Sequence, residues 1–453
     1  MALSKVCVLS LLLFSLPSVA QDDDHATMQA KFPNQYQSWA STVELKQRKD
    51  LLEENPALVI LWAGAAYSKE YHSARGHAFA VADVSHTLRT GQAVPAGEQG
   101  LSASCWTCKS PDVPRLINQM GVENFSAKNF ADLGTEMKNV IYCNDCHVKG
   151  SSELALPRPH AQKAMEKVNL PFDKQNSAMQ DSQVCGQCHV TYYFRPERSN
   201  IVNIPWIFGN TADKIEQYYD TRRFYEWIHP ISRTPLVKAR HPEFEQWSRS
   251  PHAKLGVSCV SCHMGNSTDA EGNTFTNHKV ISQALNNYDD VCQKCHKSKQ
   301  ALTSRLDHAK ADIAAKARTV EQLLVKAHYE AGAAWDAGAN WEMMNAAIMD
   351  IRHSQWRWDF AMSSHGLYAH NSKEAHALLD KANEQVTAAR TKLAEILENL
   401  KVTKVNYPDY STKTAAQKAI GINLEQLTKE KQKFIEQEID KHWPAVSQVG
   451  YQN

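Results

Sequence analysis

The chain reads as four stretches of apolar and polar pattern. Lys5 precedes a short apolar run, Val6 to Leu16, which ends on the small residues Ser18-Val19-Ala20. A charged start, an apolar middle and small residues at the end mark a secretory signal cleaved after Ala20. The run is about half of the roughly 20 residues that span a bilayer, which disfavours a retained anchor, and no later run is long enough to span. Residues 22–60 are polar and read as a surface wrap with one helix near Val43–Glu54. Residues 61–300 carry short helical stretches broken by Pro111, Pro114, Pro157, Pro159, Pro205, Pro230 and Pro235. From His252 to Asn406 there is no proline. There Ala301–Ala331, Glu342–Met362 and Ser372–Leu400 are rich in Ala, Leu, Lys and Glu, as long amphipathic helices are. A turn at Asn406–Asp409 precedes a last helix over Thr412–Lys441. No stretch alternates long enough to predict a sheet. The pattern predicts a mainly α protein with little β. Residues 1–20 form the signal and 21–453 one unit, with a motif-bearing region over about 61–300 and a long-helix region over about 301–453.

Charge narrows the function. Fifty Lys+Arg stand against 49 Asp+Glu, a balance that argues against a nucleic-acid partner, because binding a polyanion rests on a basic excess. The 20 histidines and 11 tryptophans suit metal centres and flat aromatic cofactors.

The cysteines carry the chemistry. Of 11, Cys7 lies in the signal, and the other ten form five C-x-x-C pairs: Cys105/Cys108, Cys143/Cys146, Cys185/Cys188, Cys259/Cys262 and Cys292/Cys295. Four pairs are followed at once by histidine, at His147, His189, His263 and His296. C-x-x-C-H is the attachment signature of c-type haem: two thioether bonds pin the porphyrin, and the adjacent imidazole reaches the iron. Zinc knuckles do not place a histidine directly after four separate pairs, a thioredoxin-type motif would occur once, and C-x-x-C closes a poor structural disulfide loop. The irregular spacing of the motifs rules out a tandem array of small cytochrome modules.

The pair at Cys105/Cys108 is followed instead by Lys109. Either the site has decayed, or Lys109 is the iron ligand. Both thioether cysteines are present, which favours ligation, and an amine binds iron only in its neutral form, so coordination itself must hold Lys109 deprotonated. One distinct ligand among five sites implies a distinct, catalytic task for that haem. The four C-x-x-C-H haems each need a second axial ligand, and the sixteen remaining histidines are too many for spacing to choose among.

The segments RGHAFAVADVSHTLRTG (Arg75–Gly91), CWTCKSPDVPRLI, CNDCH, CGQCHVTYYF, KARHPEFEQW, SPHAKLGVSCVSCHMG, IRHSQWRWDFAMSSHGLYAHN and AIGINLEQ occur in this order along nearly the whole mature chain. In them the sequence resembles the ammonia-forming pentahaem cytochrome c nitrite reductases, the periplasmic cytochrome c-552 family. The resemblance implies five covalent haems c, with the Lys109 haem catalytic and its distal face lined by Arg89, Tyr192 and His241. It implies His77 as distal ligand of the haem at Cys185/Cys188, His278 at Cys143/Cys146, His252 at Cys292/Cys295 and His370 at Cys259/Cys262, with His365 a rival for the last. It further implies a homodimer formed through the long C-terminal helices. The electron donor is left open between a membrane quinol dehydrogenase and a soluble multihaem cytochrome.

Nitrite nitrogen must gain six electrons and eight protons to become ammonium, so several wired haems suit the task. A guanidinium attracts the anion, and an imidazole and a phenol can supply protons. The sequence also departs from the family. Many members carry an acidic residue before the active-site tyrosine and a glutamine before the active-site histidine, which build a calcium site. Here Thr191 and Arg240 stand there, which implies the calcium-independent type, with no calcium bound and Arg240 either in the ion's place or turned to solvent. Two other activities stay open: a non-catalytic electron-transfer cytochrome, and a reductase acting mainly on hydroxylamine or sulfite.

Overall fold

The computed structural model describes residues 24–447 except 46, 96, 169–170, 282–283 and 365. The signal peptide with its cleavage point after Ala20, and His365, lie outside the described residues.

Three long helices dominate the C-terminal half: Lys299–Asp336, Trp341–Met362 and Ser372–Asn399. They are the helices expected over Ala301–Ala331, Glu342–Met362 and Ser372–Leu400. Each begins where the sequence supplies an N-cap. Ser298 Oγ accepts from Ala301 N at 3.2 Å, Asn340 Oδ1 from Met343 N at 3.0 Å and Asn371 Oδ1 from Glu374 N at 3.3 Å. Short connections fold each helix back on the last. The first helix contributes Ala317, Val320, Leu324, Ala327 and Ala331 to one buried core. The second adds Met344, Ala347, Ile348 and Ile351, and the third Ala375, Leu379, Ala382, Val386, Ala389 and Leu393. Spacings of three and four keep these side chains on one face, and the frequent alanines let the backbones approach closely.

Three boundaries differ from expectation. The helix expected over Val43–Glu54 is a 3₁₀ turn, Ser41–Glu44, and a separate helical turn, Leu51–Glu54. Asp50 breaks it, because its carboxylate caps the second turn by accepting from Leu52 N at 2.9 Å and Glu53 N at 3.3 Å. The polar wrap ends before residue 60: Ala57–Leu61 is a buried helix of the main core. The last helix, expected over Thr412–Lys441, is divided into Lys413–Ala419, Leu424–Phe434 and a π-turn at Ile435–Ile439. Gly421, at φ +74°, closes the first piece, and Asn423 caps the second.

Strand is confined, among the described residues, to three antiparallel ribbons: Tyr193–Arg195 with Ile201–Asn203, Trp227–Ile228 with Pro235–Leu236, and Asn266–Thr268 with Thr274–Thr276. No described helix is long and apolar enough to cross a membrane. The motif region contrasts with the bundle: between Cys259 and Lys299 only Gly265 and Tyr288 are buried among the described residues.

Candidate functional site

Each C-x-x-C pair sits on a tight helical turn. The amides of His147, His189 and His296 donate to the carbonyls of Cys143, Cys185 and Cys292 at 2.9, 2.9 and 2.7 Å, and Cys259–His263 is itself a helix. Such a turn brings positions i, i+3 and i+4 to one side, so two thiols and an imidazole converge. None of the ten described cysteines forms a disulfide.

The ten attachment points are not equally enclosed, and Cys295 is the exception. The other nine cysteines are partly buried, whereas Cys295 is exposed. Gln293, Lys294, Lys297 and Ser298 around it are exposed as well. The turn itself is intact, since Cys295 N donates to Cys292 O at 3.1 Å.

Opposite each of the four motif histidines stands a second imidazole. Ring centroids are 6.4 Å apart for His77 and His189, 6.1 Å for His147 and His278, 6.2 Å for His252 and His296, and 6.2 Å for His263 and His370. Two metal–nitrogen bonds of about 2.0 Å, one on each side of a shared ion, plus two half-rings, put centroids about 6 Å apart. Three of these rings are oriented for that role. His147 Nδ1 bonds to Ser152 O at 3.0 Å, His263 Nδ1 to Ile281 O at 2.7 Å and His278 Nδ1 to Thr276 O at 2.8 Å. A carbonyl accepts only from N–H, so Nε2 keeps the lone pair a metal needs. Burial pushes the pKa of His77, His252 and His278 down, toward the neutral form. The residues fit bis-histidine haem sites.

The sites are closely packed. Cys108 lies close enough to Cys188, and Cys185 to Cys259, for their side chains to interact. A fully buried arginine that sequence reasoning missed, Arg158, ties three of them together. Its Nε donates to Thr107 O at 2.7 Å and its Nη2 to Ser110 O at 3.1 Å, on either side of Lys109. It also pairs with Asp145 of the CNDCH turn and reaches Gln187 of CGQCH at 3.4 Å. One arginine in Pro157-Arg158-Pro159 gives no periodic signal; only the third dimension shows what it joins.

Lys109 is half-buried in the turn after Cys108. Arg89 and Tyr192 both lie close enough to this site for their charges to couple to Cys105. Arg89 sits on a short turn, Leu88–Thr90, with its guanidinium carbon 5.2 Å from the Tyr67 ring and 5.7 Å from the Tyr71 ring. Burial pushes the Tyr71 phenol up to about 12 and the Tyr192 phenol higher still, so both are protonated at neutral pH. Tyr67 and Tyr71, absent from the sequence-based set, flank Arg89.

His241 is half-buried in the turn before the helix Glu243–Ser248. That segment is laced to the one carrying Tyr192. Phe244 N donates to His189 O at 3.1 Å, and Thr191 Oγ1 to Ala239 O at 2.9 Å. Buried Glu245 accepts from Thr191 N at 2.9 Å and from Trp206 Nε1 at 3.0 Å, and burial pushes its carboxyl up to about 8. A Cβ on Gly186 would come within 2.5 Å of Phe244, so the CGQC turn needs glycine for this approach.

Arg240 is buried, not turned to solvent. Its Nη1 donates to Tyr192 O at 2.8 Å and Lys238 O at 3.2 Å, and its Nη2 pairs with Glu226. Its φ of +64° is unusual for a non-glycine residue, a strain of about 1 kcal/mol or more that these contacts offset. Elsewhere, the donor atoms of Glu216, Asp220 and His353 lie within 4.8 Å of one another, but Arg357 pairs with Glu216 and Arg352 with Asp220, which neutralises the carboxylates.

Five thiol-pair turns, four of them spanned by opposed imidazoles, define a multihaem c-type cytochrome. Residues 24–448 match the family model of cytochrome c552, and the chain belongs to that family. Its fold is shared with the catalytic subunit of the cytochrome c nitrite reductase of Desulfovibrio desulfuricans ATCC 27774, a structure described for the relevance of its two calcium sites. The TM-score is 0.77 at 23% identity, over 90% of this chain and 91% of that one. A weaker likeness, TM-score 0.37 at 17% identity, relates 69% of the chain to 48% of the outer cell wall cytochrome OcwA.

Proposed function

We propose that this protein is a periplasmic, ammonia-forming nitrite reductase, which reduces nitrite by six electrons at a Lys109-ligated haem fed by four bis-histidine haems. The observation that carries the reading is an asymmetry. Four sites offer two imidazoles across 6.1 to 6.4 Å, whereas the fifth offers Lys109 in place of a motif histidine, with Arg89 and Tyr192 close to Cys105 of the same turn. Haem c bound at these sites would supply one-electron carriers and, at Lys109, the iron at which nitrite is reduced.

The chain's own residues do the rest. Arg89 attracts the nitrite anion and holds charge as it develops on oxygen, and the Tyr67 and Tyr71 rings keep its guanidinium in place. Tyr192 donates a hydrogen bond from a phenol that stays protonated. His241 serves as a proton donor. Arg240 takes the position of a calcium ion, binding the Tyr192 and Lys238 carbonyls with its own positive charge, so the enzyme needs no calcium. Residues 21–453 act as one unit, with the long-helix region, about 301–453, making the dimer contact, and a redox partner supplies the electrons.

The test is stoichiometry with a chemical reductant. One ammonium formed and six electrons consumed per nitrite, unaffected by a calcium chelator, is the expected result. Nitrite left unconsumed, or nitric oxide as the end product, overturns the function. Activity lost to chelator and restored only by calcium overturns the role of Arg240.

A further inference from the structure

The turn that carries Arg89 is held from two directions. On one side Glu70 accepts from Leu88 N at 2.5 Å. On the other, Lys431 arrives from the helix Leu424–Phe434, more than three hundred residues along the chain. Its Nζ donates to Thr90 Oγ1 at 3.1 Å and to Gly91 O at 2.7 Å, and lies 5.4 Å from the Phe434 ring. Lys431 is 3% exposed, a rare state for lysine, and burial pushes its amine down to about 7 against the opposing pull of Glu70. Neighbouring contacts converge on the same loop: Asp440 meets His86 Nε2 at 2.9 Å, and Glu430 meets Gln92 Nε2 at 3.1 Å. Thr87 Oγ1, accepting from Arg89 N at 3.4 Å, and Gly91 at φ +66° complete a turn whose shape depends on its anchors.

We propose that Lys431 is a positioning residue for nitrite binding: by bonding Thr90 and Gly91 it fixes the backbone from which Arg89 reaches the substrate. The proposal rests on the reading of Arg89 as the nitrite contact. A lysine that only fastened the C-terminal helix to the body would affect stability and leave substrate affinity alone. One acting through Arg89 affects KM, because an anchor displaced by a fraction of an ångström moves the guanidinium off the anion.

The experiment compares nitrite kinetics of the five-haem holoenzyme in Arg89→Leu, Lys431→Met, Lys431→Arg and Thr90→Val. Lys431→Met is expected to raise KM about tenfold with kcat within about twofold, the size expected for losing charge-assisted hydrogen bonds. Thr90→Val is expected to raise KM less, and Lys431→Arg to restore most of the affinity. If Arg89→Leu cripples nitrite use while Lys431→Met and Thr90→Val leave KM unchanged, the positioning role is overturned and the site reading survives. If Arg89→Leu leaves nitrite kinetics intact, the site reading falls and the proposal with it. Should Lys431→Met fail to incorporate five haems, the KM of Thr90→Val alone decides.

Discussion

The Lys109 site and the four imidazole-pair sites use the same covalent device on the same kind of helical turn, yet they are furnished for different work. Each pair site is closed from both sides: centroids 6.1 to 6.4 Å apart leave room for one metal ion on the line between the two rings. Near the Cys105/Cys108 turn stand Arg89, with Tyr67 and Tyr71 against it, and Tyr192, and the imidazole of the set, His241, sits in a turn tied to the Tyr192 segment through Thr191 and Ala239. A closed site suits electron transfer, because nothing in its coordination changes when the electron arrives. A site lined by a guanidinium and phenols suits a small anion that must take up protons. The segments flanking the Lys109 site are also bonded to one another through Arg158, Thr191, Arg240 and Glu245.

Substitutions that break one side of this comparison should leave the other intact. The largest effect is expected at Arg89. Arg89→Leu should cut nitrite turnover by about a hundred- to a thousandfold, the usual cost of losing a preorganised electrostatic group, while the low-spin haem spectra stay unchanged. Steady-state assays and visible spectra check both halves. Lys109→His should keep the haem attached and lower turnover by about tenfold or more, because it makes the fifth site more like the other four; activity per haem measures it. His252→Ala runs the comparison the other way. It should open one pair site, turning a single low-spin signal high-spin, with a smaller loss of turnover than either change at the Lys109 site, and electron paramagnetic resonance would count the signals.

The smallest effect concerns the bundle behind the sites. Burial of Glu321 pushes its carboxyl up to about 7, with Asn55 Nδ2 donating to it at 2.8 Å. A carboxyl raised on folding contributes stability that is present below its unfolded pKa and lost as pH rises through the folded one. Wild type should therefore lose stability relative to Glu321→Gln across the window from about pH 4 to pH 7, by on the order of 1 to 3 kcal/mol. Thermal unfolding of both proteins across that window measures it.

Much of the fold was legible because the long helices follow local rules: good helix formers, no proline, a polar cap at each start. The misses were also local, but concerned residues with two uses. Asp50 reads as one more polar position in a helix and acts as a cap; Gly421 and Asn423 read as tolerable interruptions and divide the last helix. The haem-attachment turns were legible because their chemistry is contiguous in sequence. The partner imidazoles were not, since His77 and His189, or His147 and His278, meet only through the fold, and resemblance rather than spacing pointed to them. Arg158, Tyr67, Tyr71 and Lys431 left no trace at all. Each is a single residue whose role consists of what it touches far along the chain.

The most direct test is a nitrite titration of the purified holoprotein, followed by electron paramagnetic resonance and visible absorption. The account predicts five haems per chain, four low-spin and indifferent to nitrite, and one whose high-spin signal shifts with one equivalent of the anion and stops shifting in Arg89→Leu. Five low-spin haems that ignore nitrite would contradict it and leave an electron carrier in place of an enzyme.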